Sequence, residues 1–258
     1  MNPDQNQLIL TLSKTISQER GRTNILKEYE QKSIAFLVQR IPLWVSSDIL
    51  TGIGFLGSLI VLLSFILATY INENYLLLGV FGFCVSWFGD SLDGRIAYYR
   101  NKPRKWYGFA LDLTVDWLGI LLMGLGFMIY ANEAWKFLGF GFVVLYGWGM
   151  ITALIRYKVT GKYSIDSGKL GPTEVRIIIS LILIFEVIFK DSILYSSAMA
   201  CVVLFIVSTL DAIKLLKLGD ARDDEERQVK KEENENFERN LENDKKQILL
   251  SNTVLRTV

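Results

Sequence analysis

Four aspartates, Asp90, Asp93, Asp112 and Asp116, fall within 27 consecutive residues of the segment GDSLDGRIAYYRNKPRKWYGFALDLTVDW. Asp90 and Asp93 are three residues apart and Asp112 and Asp116 four apart, so on helices each pair projects from one face. Two such faces on adjacent antiparallel helices would form a cluster of four carboxylates. The basic residues between Arg95 and Lys105 fall in the connecting loop, which leaves a divalent cation as the natural counter-charge. Oxygen ligands alone suit Mg2+, Mn2+ or Ca2+, and two such ions would balance four carboxylates. Gly94, Ala97 and Gly108 lie beside the acids, and small residues there let a helix or a ligand lie close to the backbone.

The rest of the composition narrows the chemistry. The 258 residues include no histidine, which removes a Ser-His-Asp triad, an imidazole base and His-ligated zinc. Lys and Arg number 28 against 27 Asp and Glu, without the basic surplus that a nucleic-acid partner requires. Cys84 and Cys201 both lie in apolar runs, so neither a disulfide framework nor a four-thiolate metal site is available.

The elements that must hold the acids read as membrane spans. Between Asp48 and Glu73 lie 24 uncharged residues, enough to cross a hydrocarbon core of roughly 30 Å as a helix. Uncharged runs at 74–89, 117–132, 137–155 and 192–210 predict four more spans, the two shorter ones reaching into flanking acidic residues. A segment from about Glu174 to Lys190, interrupted by Glu186, completes six. The expected fold is all-α: a polytopic membrane protein of six transmembrane helices.

Orientation follows from Lys and Arg, which are scarce in short translocated loops. Residues 1–47 hold six, the loop near 94–105 five, the segment 156–176 five and the tail from Lys214 ten, while the alternate connections hold only Lys136 and Lys190. Both termini are therefore expected in the cytosol. Residues 1–47 do not read as a cleavable signal. Ser33 to Trp44 reads as an amphipathic helix on the cytosolic interface, or as an ordinary helix packed on the bundle. After Leu216 the chain becomes strongly charged, as a solvated helix or a disordered tail. The expected division is a cytosolic segment 1–47, a membrane domain 48–216 and a cytosolic tail 217–258. Gly139, Gly141, Gly147 and Gly149 read as a close-packing face, and the six tryptophans mostly as interfacial anchors.

The aspartate segment resembles the signature of the CDP-alcohol phosphatidyltransferase family, D-x-x-D-G-x-x-A-R followed after eight or nine residues by G-x-x-x-D-x-x-x-D. Asp90, Asp93, Gly94, Ala97, Gly108, Asp112 and Asp116 match, with nine residues between Tyr98 and Gly108. Tyr98 stands where the family usually has Arg, and Arg100 is a candidate substitute. Ser47 to Gly54 (SDILTGIG) is similar to the family's P-N-x-L-T start of span one, with Thr51 in place and Asp48 where Asn is common. The resemblance implies transfer of a substituted phosphoryl group from a CDP-linked donor to a hydroxyl acceptor with release of CMP, in phospholipid biosynthesis. By motif position, Asp90, Asp93, Asp112 and Asp116 form the site of two Mg2+ or Mn2+ ions, and Asp116 is also the general base. Thr51, Asp93, Gly94, Ala97 and Gly108 would contact the nucleotide. Membrane lipid, the CDP-linked donor and an alcohol are the implied partners, and homodimers are common in the family. The short chain suits a bacterial cytoplasmic membrane.

A second constellation joins Arg156, Lys158, Lys162 and Lys169 to GPTEVR at 171–176. Gly-Pro-Thr before an apolar run is a helix start with Thr173 as its expected N-cap, and such a start favours an anion. Arg156 and Arg176 are candidates to contact a lipid or acceptor phosphate, and Glu174 an acceptor hydroxyl or amine. The alternative is ordinary positive-inside flanking charge. Glu186 is either a pocket residue or a pair near the outer interface.

Three rival functions use the same residue types. An intramembrane prenyltransferase also holds a diphosphate through aspartates and Mg2+, but on well-separated helices. A divalent-cation transporter would continue its polar residues toward the outer face, whereas spans two and three turn apolar beyond the cluster. A scaffold without catalysis is made thinkable by Tyr98, and four intact aspartates oppose it.

Overall fold

A computed structural model describes residues 27–161 and 172–254. Among them are seven α-helices and no strand: α1 Lys27–Val38, α2 Ser47–Tyr70, α3 Leu76–Tyr99, α4 Lys105–Tyr130, α5 Lys136–Thr160, α6 Pro172–Ile188 and α7 Ser192–Val254. Single 3-10 turns, Glu73–Tyr75 and Glu133–Trp135, join α2 to α3 and α4 to α5.

The starts and stops follow from local chemistry. Ser46 precedes α2 and accepts a hydrogen bond from the Ile49 amide at 3.2 Å, with Asp48 in the first turn, so an orphan donor and the positive helix end are both satisfied. α5 stops at Gly161, whose φ of 70° is the left-handed conformation open to glycine. α6 begins at Pro172, where a missing N–H costs nothing. Thr173 is therefore already inside the first turn of α6 and is not its N-cap. Lys162, Lys169 and Gly171 lie outside the described residues.

Five stretches are long and apolar enough to cross a membrane: Ser47–Tyr70, Glu73–Tyr99, Lys105–Tyr130, Glu133–Thr160 and the first part of Ser192–Phe237. Large apolar side chains on them face outward, among them Phe81, Phe137, Phe140 and Met199, and an exposed apolar belt of that extent marks a lipid-facing surface. At 17 residues, α6 is about 25 Å long, shorter than the other five.

Helix neighbours form a ring: α2 packs on α3 and α4, α4 on α5, α5 on α7, α7 on α6, and α6 on α3. Although α3 and α4 are consecutive in sequence, they are not packed on each other as adjacent helices; α2 packs on both. The closest approach in the bundle is between α2 and α3. A Cβ added to Gly57 would stand 2.4 Å from the Ser86 amide nitrogen, and one on Gly89 2.2 Å from that of Gly54. Small residues here let backbone rest on backbone.

The four glycines of α5 divide between two faces. A Cβ on Gly139 would meet the Gly124 carbonyl at 2.7 Å and one on Gly147 the Trp117 ring at 2.9 Å, whereas Gly141 and Gly149 meet nothing within 4 Å. Trp117 is accordingly a packing residue. Trp44 and Trp106 are largely exposed at the aspartate end.

The first described helix lies earlier than expected, at 27–38 instead of 33–44, because Gln39 to Ser46 turn back toward α2. Ile34 and Val38 are buried with Leu50, Leu92 and Ile96, so this helix packs on the bundle. Its buried Glu30 faces Arg95 at 3.8 Å. At the other terminus α7 runs through residue 217 without a break, so the charged tail continues as helix.

The end of the bundle away from the aspartates is closed by an apolar cluster that includes Val61, Phe65, Phe83, Phe127 and Leu183. Glu186 lies there, 1% exposed. It accepts hydrogen bonds from the Tyr130 hydroxyl at 2.7 Å, the Ile193 amide at 2.7 Å, the Asp191 amide at 3.1 Å and the Ser192 hydroxyl at 3.1 Å. The carboxylate thus caps the start of α7 and joins α4, α6 and α7. Its four donors give it a structural role at this end of the bundle.

Gly89→Ala should lower stability by about 1–3 kcal/mol, because the added methyl meets backbone that cannot yield. Gly141→Ala should be neutral. Thermal unfolding of the two variants in one detergent checks the contrast, and equal melting temperatures would contradict the packing account.

Candidate active site

The aspartates come together across a gap. Asp90 and Asp93 sit near the end of α3, and Asp112 and Asp116 in the first half of α4. Because α2 holds those helices apart, a cleft opens between them with about 790 Å³ of open space continuous with solvent. Its polar wall carries all four aspartates, and its floor includes Val61, Phe83, Met123 and Ile179.

Asp90, Asp112 and Asp116 each offer a carboxylate oxygen, and these oxygens lie within 4.8 Å of one another. Three hard, anionic oxygen donors at that spacing fit Mg2+ or Mn2+ by donor type and by charge. Asp93 stands slightly apart, 7% exposed. Its Oδ2 accepts a 2.7 Å hydrogen bond from Thr51 Oγ1, its Oδ1 accepts from the Gly94 amide, and its backbone carbonyl accepts from Ser47 Oγ at 2.9 Å. The start of α2 therefore orients Asp93, which fixes one carboxylate before any ligand arrives.

Gly94 and Gly108 fall on the same helix faces as the acids, four residues beyond Asp90 and four before Asp112. A Cβ at either position would meet nothing within 4 Å. Both glycines border open space, and Ala97 continues the α3 face at half-buried depth. The mouth of the cleft beyond the carboxylates thus has room for a bulky group.

The basic candidates separate. Arg176 projects from α6 to Asp90, with Nη1 at 2.7 Å from Asp90 Oδ2 and Nη2 at 4.0 Å from Asp116 Oδ1. Arg156 instead pairs with Asp211 of α7 at 3.6 Å. Arg100 donates to the backbone carbonyls of Ile41, Pro42 and Val45, holding the turn that precedes α2. Its guanidinium is engaged there and is not part of the cleft lining. Glu174 is buried in the first turn of α6, outside the cleft lining. Arg104, from the loop, pairs with Asp48 and lies over the Tyr107 ring at 4.2 Å, joining α2 to α4 at the cleft mouth.

Two features of the site escaped the sequence. Tyr146 of α5 lines the cleft with Asp116, and its one sequence signal is a phenol inside an otherwise apolar span. Arg176 was readable as an anion contact but not as a partner of Asp90, since 86 residues separate them.

The sequence profile of the CDP-alcohol phosphatidyltransferase family matches residues 44–213, from the turn before α2 into α7. The chain belongs to that family. The match covers well over half of the 258 residues and contains the whole cleft. CDP-alcohol phosphatidyltransferases carry out phosphotransfer from a CDP-alcohol in phospholipid synthesis. Together with the apolar helices, membership marks this chain as an integral membrane protein. A search of curated protein sequences gave no significant match.

Thr51→Val should lower turnover about 10- to 100-fold, because Asp93 loses the hydroxyl that orients its carboxylate in the cleft. Thr51→Ser, which retains the donor to Asp93, should stay near wild type. Steady-state rates of both variants, measured as CMP release, test this.

Proposed function

We propose that the protein is a divalent-metal-dependent phosphotransferase that moves a substituted phosphoryl group from a CDP-linked donor to a hydroxyl acceptor, releasing CMP. The donor is CDP-diacylglycerol or a CDP-alcohol. The observation that carries the proposal is the convergence of Asp90, Asp112 and Asp116 within 4.8 Å across an open cleft, in a chain of this family.

Asp90, Asp93 and Asp112 would hold two ions, beside Asp116, whose carboxylate lies within 4.8 Å of those of Asp90 and Asp112. Bound there, Mg2+ or Mn2+ would draw charge from the bridging diphosphate and from the departing CMP. Asp116 accepts the proton of the acceptor hydroxyl as its oxygen attacks the phosphorus that carries the transferred substituent. A new P–O bond forms, the bond from that phosphorus to the CMP oxygen breaks, and CMP leaves with the electron pair. Gly94, Ala97 and Gly108 leave room for cytidine at the mouth, with Thr51 acting through Asp93. Arg176 is the basic residue placed to meet a substrate phosphate; Arg156 and Glu174 serve packing instead.

In this reading α6 completes six transmembrane helices, its short length compensated by flanking residues. The aspartate end faces the cytosol, as the Lys and Arg distribution favours, and CMP leaves on that side. The apolar cluster behind the cleft favours a phosphotransferase over a cation transporter, which needs a polar path to the far side.

The test runs the reaction backwards. Purified protein with CMP, Mn2+ and a lipid extract should generate a CDP-linked species identifiable by mass spectrometry, and chelation should abolish it. CDP-diacylglycerol as product defines one donor class, and a CDP-alcohol the other. Asp116→Asn should lower turnover by about 100-fold or more with CMP affinity retained, and a variant that still turns over would remove the base assignment. No CDP-linked product from folded protein across several extracts would overturn the proposed reaction.

A further inference from the structure

Four aspartates and two divalent cations balance in charge. In the structure, however, a guanidinium already stands among those aspartates. Arg176 Nη1 is 2.7 Å from Asp90 Oδ2, and Nη2 is 4.0 Å from Asp116 Oδ1, with the arginine side chain 17% exposed. Its reach joins α6 to carboxylates on both α3 and α4.

Without a cation, carboxylate oxygens within 4.8 Å of one another repel, and the repulsion is strong where water is scarce; Arg176 offsets it. With two dications bound, the same guanidinium would bring a fifth positive charge against a balanced set and would itself be repelled. Its partner Asp90 is the carboxylate that the metal-site reading assigns to the ions, so arginine and metal compete for one group. The arginine side chain can withdraw by rotation about its own bonds, with α6 staying in place.

We infer that Arg176 is a built-in counter-ion that holds the aspartate cluster together in the metal-free protein and is displaced from Asp90 when divalent cations bind. The displaced guanidinium, still at the cleft, is then available to an anionic phosphate. Cation binding thereby prepares phosphate binding, and the two are coupled in the sense of linked sites. This inference rests on the metal-site reading above, and the experiment separates the two.

Full-length protein in detergent is titrated with Mn2+ alone, with free Mn2+ followed by electron paramagnetic resonance. Arg176→Met and Arg176→Gln, the second of which keeps a hydrogen-bonding side chain near Asp90 without the charge, should bind Mn2+ about tenfold more tightly than wild type, within the roughly 5- to 150-fold range of ordinary coupling. Arg176→Lys should stay near wild type, and Asp90→Asn should bind more weakly. Metal-free Arg176→Gln should melt below the wild type, with a larger upward shift on adding Mn2+. A folding defect alone would weaken Mn2+ binding, so a gain in affinity cannot come from damage. Unchanged or weaker Mn2+ binding in both neutral variants, with wild type and Asp90→Asn behaving as stated, overturns the displacement and leaves the metal site standing. No saturable Mn2+ binding by the wild type overturns both.

Discussion

The contact between α2 and α3 determines much of what else the bundle can do. Gly54 and Gly57 rest against Ser86 and Gly89 at backbone distance, and a larger residue at Gly57 or Gly89 would meet backbone and push the helices apart. That contact runs up to Asp90, whose amide nitrogen would stand 3.2 Å from a Cβ on Gly54, and brings the start of α2 beside the end of α3. Thr51 can then reach Asp93 and Ser47 its carbonyl. A cluster of carboxylates needs rigid supports, because repulsion would otherwise spread them, and glycine-mediated packing supplies such a support from the protein backbone itself.

The same contact explains the cleft. With α2 pressed into α3 and also packed on α4, the two aspartate-bearing helices face each other across space instead of interlocking. Asp112 and Asp116 therefore approach Asp90 through their carboxylates, not through helix packing. Arg176 arrives from α6 on the remaining side. Three helices thus contribute the charged groups, and a fourth, α2, contributes their geometry.

Local patterns in the sequence were enough to place the five helices long and apolar enough to cross a membrane and to pair the aspartates on helix faces, since charge-free runs and i, i+3 or i, i+4 spacing are properties of short segments. What could not be read locally was which long side chain meets which partner. Arg156 and Arg176 look alike in sequence, each beside an apolar span. One pairs with Asp211 on the outside of the site and the other enters it, a difference set by the ring order of the helices. Arg100 likewise sits two residues from the motif position it seemed able to replace, yet its guanidinium is occupied by three carbonyls of the chain before α2. The α5 glycines, spaced as one stripe, fall on two faces because residues two apart on a helix point in different directions.

Glu186 and Asp90 show why burial of a carboxylate does not by itself locate chemistry. Glu186 is the more buried of the two, yet its oxygens accept from two backbone amides and two hydroxyls. Those donors come from the chain itself and are needed at the start of α7, so the group has a complete structural reason to exist. Asp90 is held by a side-chain cation and faces other carboxylates across open space. Its surroundings answer charge with charge, which a ligand can also do, and a group whose partner can be exchanged is one on which binding and catalysis can act. A charged partner on one side and open space with further carboxylates on the other, more than acidity or depth, separate Asp90 from Glu186.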